Sequence, residues 1–250
     1  MKKQTIISAA IAAAFGFSMI GSANANVTFG DGGAGLQGVL DGITVAPIAG
    51  DSSVDVTTDE LANDSYWSIT GAGGSVATIV IELAGFASGN SFGVFDMANP
   101  GNAVQLFAGA NVAGDQAILS IKADGSVHVN LADTGVDFAG NQFGYWLNTP
   151  QQNTWYSDTA LNIDGSDHLA AYQGTNTDTV ALPGIAPGLW TNNEFVLAWE
   201  DLALGAGAGG DFNDFVVMVE SVKPIPEPGI LALMGLGLLG FMGGRRFTKA

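Results

Sequence analysis

The stretch AILSIKADGSVHVN, residues 117–130, decides how the rest of the chain is read. Two apolar runs, Ile118 to Ile121 and Val127 to Val129, flank Asp124-Gly125, a pair that tolerates the positive φ of a tight hairpin turn. Strands joined this way run antiparallel, and side chains two apart on either of them share a face. His128 alternates with Val127 and Val129, which puts it on the polar face with no assigned role.

The same pattern recurs outward in both directions. SVATIVIEL (Ser75 to Leu83) is apolar and rich in β-branched residues, SFGVF, AVQLF and FGYWL are short aromatic-bearing runs, and EFVLAWEDL and DFNDFVVMVE close the series. Gly, Asn and Asp separate them, and no stretch carries helical periodicity over three turns. Many short strands with glycine-rich turns predict an all-β fold, an antiparallel β-sandwich of jelly-roll type, with a closed barrel as the alternative. The tryptophans, tyrosines and most phenylalanines fall in or beside these runs, where their default role is core packing. The segment GDGGAGLQGVLDG near the start resembles one copy of a glycine-aspartate calcium repeat, but it is unrepeated and reads as a flexible acidic loop.

Both ends read as addresses. At the N-terminus Lys2 and Lys3, an apolar run from Ile6 to Ile20, and Ala23-Asn24-Ala25 have the layout of a secretory signal peptide cut after Ala25 by signal peptidase, following export through the Sec translocon. This assigns residues 1–25 to the signal and 26–223 to the β domain. At the other end Gly229 to Gly244 is uncharged and apolar. As a helix its sixteen residues span about 24 Å, a little less than a bilayer core. Arg245 and Arg246 follow it, which fits retention on the cytoplasmic side. Pro224, Pro226 and Pro228 keep the preceding segment extended.

Pro226-Glu227-Pro228, the glycine-spotted apolar helix and the terminal arginines together resemble the PEP-CTERM sorting signal of Gram-negative bacteria. The resemblance implies recognition by an exosortase, transient anchoring in the inner membrane through residues 224–250, and delivery to the cell surface or extracellular matrix. Exopolysaccharide is the implied neighbour. A permanent single-pass anchor is the alternative.

Composition narrows the partners further. Residues 26–223 hold two lysines against 23 acidic residues, a surface that repels phosphate backbones, so nucleic acid is not expected. The chain has no cysteine, which excludes disulfides, thiolate metal sites and thiol nucleophiles.

Two acidic stretches carry more polar chemistry than a sandwich requires. SDTALNIDGSDHLAAY contains Asn162, Asp164, Asp167 and His168; WEDLALGAGAGGDFNDFVVMVE contains Glu200, Asp201, Asp211, Asn213 and Asp214. If the strands around the second glycine-rich loop pair, Glu200 and Asp201 face Asp211, Asn213 and Asp214 across its mouth. Extended geometry would converge Asp211 with Asn213 and turn Asp214 away to cap the backbone. Clustered carboxylates need a counter-charge, and calcium takes six to eight such oxygen ligands. The alternative is that these Asx side chains cap turns and stay solvated. His168, a poor calcium ligand, is assigned to orienting a nearby carboxylate.

The series resembles a domain family of unknown function found in exported bacterial proteins. The matches are Phe92-Gly93-Val94-Phe95, Leu161 through His168, Glu200-Asp201-Leu202 and Asp211-Phe212-Asn213-Asp214-Phe215-Val216, within about residues 66–220. The resemblance implies an all-β, calcium-dependent module with no established activity. Gly209 stands where members of that family commonly carry a further acid, and the loop after Glu200 is longer than usual.

No G-x-S-x-G or H-E-x-x-H signature occurs, so an enzyme is not expected. A glycoside hydrolase would need a carboxylate pair, which Glu200, Asp211 and Asp214 could supply. A lectin-like module would need an exposed aromatic, with Trp155, Tyr156 and Trp190 as candidates.

Overall fold

The computed structural model describes residues 27–71, 74–82, 89–150, 153–204 and 210–226. The proposed signal peptide and apolar tail helix lie outside them. In chain order the elements are α1 (Ala34–Ile43), β1 (Thr44–Ala46), β2 (Trp67–Ile69), β3 (Ser75–Glu82), β4 (Ser91–Asp96), β5 (Ala103–Phe107), β6 (Gln116–Ile121), β7 (Ser126–Val129) and β8 (Ala132–Asp137). There follow β9 (Gln142–Asn148), β10 (Thr154–Tyr156), a 3-10 turn (Thr159–Leu161), β11 (Leu169–Gln173), β12 (Thr179–Val180), β13 (Gly188–Leu189), β14 (Glu194–Trp199), β15 (Phe215–Glu220) and β16 (Val222–Pro224).

The opening stretch forms the hairpin its residues predict: Ile121 faces Val127 across β6 and β7, and Gly125 takes φ 96° at the turn. One sheet runs β11-β14-β15-β3-β6-β7-β8. A second runs β16-β2-β9-β4-β5 with β10 on β9, and every pairing is antiparallel. Between them lies a core that includes Trp67, Phe92, Tyr145, Trp155, Trp199 and Phe215. The fold is therefore an open β-sandwich.

The first sheet also has a second cover. Val196, Ala198, Val216 and Met218 face away from the sandwich core and pack with Leu36, Leu40, Ile43, Trp190 and Phe212. This layer is α1 together with a small sheet, β1-β12-β13. Strands buried on both faces read as unbroken apolar runs, which is why β14 and β15 show no polar alternation.

α1 corrects the reading of residues 30–42 as a flexible loop. Its three buried residues, Leu36, Leu40 and Ile43, stand four and three apart along one helix face. Interspersed Gly35, Gly38 and Gly42 lower the intrinsic propensity by about 1 kcal/mol each, so packing against the sheet must hold the helix. Its entry is fixed by Asp31, whose two carboxylate oxygens accept from the amides of Gly33 (2.8 Å) and Gly35 (2.6 Å).

Candidate functional site

Both acidic stretches arrive at one end of the first sheet because β11, β14 and β15 are neighbours. Leu169 pairs with Trp199 and Trp199 with Phe215, so the residues just beyond, Asp167-His168, Glu200-Asp201 and Asn213-Asp214, leave the sheet side by side.

At the β14–β15 mouth, Glu200, Asp211 and Asp214 each place an oxygen so that all three lie within 4.8 Å of one another. Glu200 is 1% exposed; its Oε2 accepts from the Gly210 amide (2.7 Å) and its Oε1 from that of Leu202 (3.3 Å). The loop's own two ends thus hold that carboxylate. Asp214 accepts from the Asp201 amide (3.0 Å), the capping role expected of it, and still joins the cluster. Asp214 is not turned away, because Phe212 takes φ 51° and breaks the extended run on which strict alternation depends. The Asn213 side-chain amide lies beside Gly35 of α1, 2.5 Å from where a Cβ on that glycine would stand, and the Asp211 Cβ is 3.5 Å from the same point. Gly30 donates to the Gly210 carbonyl (2.9 Å) and Phe29 meets Phe212 edge-on, so the N-terminal segment packs on the residues just before β15.

Burial, and then the charges of Asp201, Glu200 and Asp211, push the Asp214 carboxyl up to about 8. Asp201 is also raised, chiefly by burial; its carboxylate accepts from Asn90 (3.2 Å) and also meets the Asp214 side chain. No lysine or arginine occurs in either acidic stretch.

The other stretch uses its polar atoms differently. Asn162 accepts from the Tyr156 amide (2.7 Å) and donates to the carbonyls of Tyr156 (3.0 Å) and Ser166 (2.9 Å). Asp167 accepts from the Leu169 amide (3.1 Å). Asp164 accepts from the amides of Ser166 and Leu204 and meets His168 Nε2 at 3.0 Å. Against the upward push of burial, these partners hold the Asp164 carboxyl below its ordinary range. His168 is fully buried; its Nδ1 bonds the Glu200 carbonyl (3.0 Å) and its ring stacks flat on Trp155 at 3.7 Å. It bonds Asp164 and also ties the two stretches together. Trp155, whose indole donates to the Asp201 carbonyl (2.9 Å), completes the brace and was not foreseen in that role.

Trp155 and Trp190 are both 0% exposed, which removes them as sugar platforms. Tyr156 remains half-buried on the outer face of the second sheet.

The β domain runs directly into the sorting segment: Pro224 of β16 pairs with Trp67, and the Ile225 amide donates to the Tyr66 carbonyl (2.9 Å). Residues 224–246 match the family described as the PEP-CTERM protein-sorting motif. The chain carries a PEP-CTERM sorting motif. The PEP-CTERM motif marks an exported protein recognised by an exosortase and placed at the cell surface or outside the cell. Beyond residues 224–226, the motif lies outside the described residues. No curated protein matches the chain.

Proposed function

We propose that this protein is a non-catalytic surface or matrix module whose sandwich is locked by one calcium ion at the mouth of β14 and β15. After passage through the Sec translocon and cutting by signal peptidase, it takes a structural or adhesive place among exopolysaccharide. The observation that carries the metal reading is the convergence of Glu200, Asp211 and Asp214 within 4.8 Å without a basic neighbour in the segment. Ligands on opposite sides of a calcium ion at about 2.4 Å stand about 4.8 Å apart, so three oxygens with that spacing fit one coordination sphere. The donors are all oxygen, as a hard cation requires, and water can complete the shell. Calcium would supply charge balance and would join both ends of the glycine-rich loop through Glu200. Support for a non-catalytic role comes from the same residue: a carboxylate 1% exposed and held by two backbone amides is poorly placed to meet a substrate.

Thermal unfolding of the mature domain tests this reading. Saturating calcium at about 100 times Kd stabilises by about 2.7 kcal/mol, or a Tm rise on the order of 5–10 °C over excess EDTA. Identical melts in the two conditions would remove the metal.

A further inference from the structure

The outer face of the second sheet carries a feature that the acidic loop does not use. Tyr145, Leu147, Phe92, Val94 and Trp155 all point into the sandwich core. Strand alternation therefore turns Trp146, Asn148, Ser91, Thr154 and Tyr156 outward. Register brings them together: Trp146 faces Tyr156, and Asn148 faces both Thr154 and Ser91. With Ala103 of β5 they line a cleft of about 320 Å³.

The two rings in this cleft are braced. The Trp146 indole donates to the Val94 carbonyl (3.1 Å) and rests against Gly93, where a Cβ would come within 2.6 Å of the ring. Only glycine lets the indole lie so close to the β4 backbone while it lines the cleft. Tyr156 is steadied by edge contact with Phe95 at 5.3 Å. Thr154 accepts from the Asn148 amide (2.8 Å), which fixes the rim. Groups held in place before a ligand arrives lose little freedom on binding.

None of the six lining residues is charged, although residues 26–223 hold 23 acids. A neutral lining does not favour a cationic ligand or an anionic one. Two aromatic faces suit the flat C–H face of a ring, and a rim of hydroxyls and an amide suits a ligand that both donates and accepts around its edge. We infer that this cleft binds a neutral glycan, with Trp146 and Tyr156 stacking on pyranose rings and Asn148, Thr154 and Ser91 bonding their hydroxyls. Hydrogen bonds tie the cleft's strands to both acidic stretches: Asn162 clamps the Tyr156 backbone, and Asn90, next to Ser91, bonds Asp201. The inference rests on the surface-module reading above for where glycans are met, and its chemistry is independent of the metal.

The test is native electrophoresis of the mature protein in gels containing mixed-linkage β-glucan, galactomannan or dextran, and in gels containing alginate or polygalacturonate. Each is run in millimolar calcium and in excess EDTA. Retardation by at least one neutral polymer is expected. Trp146→Ala should weaken it ten-fold or more, and Ala103→Arg, which fills the cleft from β5 and leaves both rings in place, should do the same. Retardation by none of the neutral polymers, or only by the acidic ones, would overturn the inference. So would an Ala103→Arg protein that folds and binds like wild type, even if Trp146→Ala does not fold. Retardation without any calcium-dependent melt would sink the metal reading and leave this one standing; a calcium-dependent melt without retardation would do the reverse.

Discussion

Two acidic stretches of the same residue types leave the same end of one sheet and meet opposite fates. Around Asn162–His168 the side chains of Asn162, Asp164 and Asp167 bond nearby backbone or His168, and Asp164 is held below the ordinary carboxylate range. At the β14–β15 mouth three carboxylates face one another, and burial pushes Asp214 up to about 8. Asx side chains that already accept backbone amides behave as turn caps. Carboxylates forced together behave as a site in need of a cation. The difference lies in what stands beside the cap: Glu200 and Asp214 also accept backbone amides, yet each keeps an oxygen close to Asp211, which spacing along the chain does not reveal.

The largest effect that would sharpen this contrast falls on the turn side. Asn162→Ala removes three hydrogen bonds and strands the Tyr156 amide, so a loss of roughly 3 kcal/mol is expected. In thermal melts that is a Tm fall of about 6–12 °C, equal with and without calcium. A fall confined to calcium-loaded protein would make Asn162 part of the metal site and erase the distinction.

Asp214→Asn should act in two directions at once. It relieves repulsion among the carboxylates while keeping an oxygen for the Asp201 amide. In excess EDTA at pH 8 the variant should melt a few degrees above wild type, yet lose most of the calcium-dependent rise. Loss of stability in both conditions would reduce Asp214 to a plain cap.

A smaller effect follows from pH. The folded Asp214 carboxyl sits above its unfolded value of 3.8. Its contribution is therefore present in full below about pH 4 and lost as pH rises toward about 8. Metal-free wild type should lose a few degrees of Tm across that window, and calcium should flatten the decline. Glu60, raised to about 7 by burial, adds its own slope, so the reading is the difference between wild type and Asp214→Asn. Identical slopes in the two proteins would mean that the cluster does not set the trend.

Much of the fold was legible in local patterns. The Asp124-Gly125 turn with its flanking runs, and the apolar runs of β14 and β15, are short-range signals, and each lies where it was expected. α1 was hidden because Gly35, Gly38 and Gly42 dilute the Leu36-Leu40-Ile43 spacing; its stability comes from the sheet beneath it. Within the candidate site, the pairing that brings Glu200 opposite the Asp211–Asp214 segment was readable. The positive φ of Phe212 was not, because nothing in an Asp-Phe-Asn-Asp run demands it. Of the aromatics named as sugar platforms, Tyr156 lies in the cleft; its partner Trp146 was missed because the two meet through strand register, and Trp155 has the wrong parity and faces inward.

Calorimetric titration of calcium into the EDTA-stripped mature domain probes the division between the two stretches most directly. One site per chain is expected, abolished by Glu200→Gln or Asp211→Asn and essentially unchanged by Asp164→Asn. Absence of any binding, or a site lost with Asp164→Asn and kept by the other two variants, would contradict the assignment of the cation to the β14–β15 mouth.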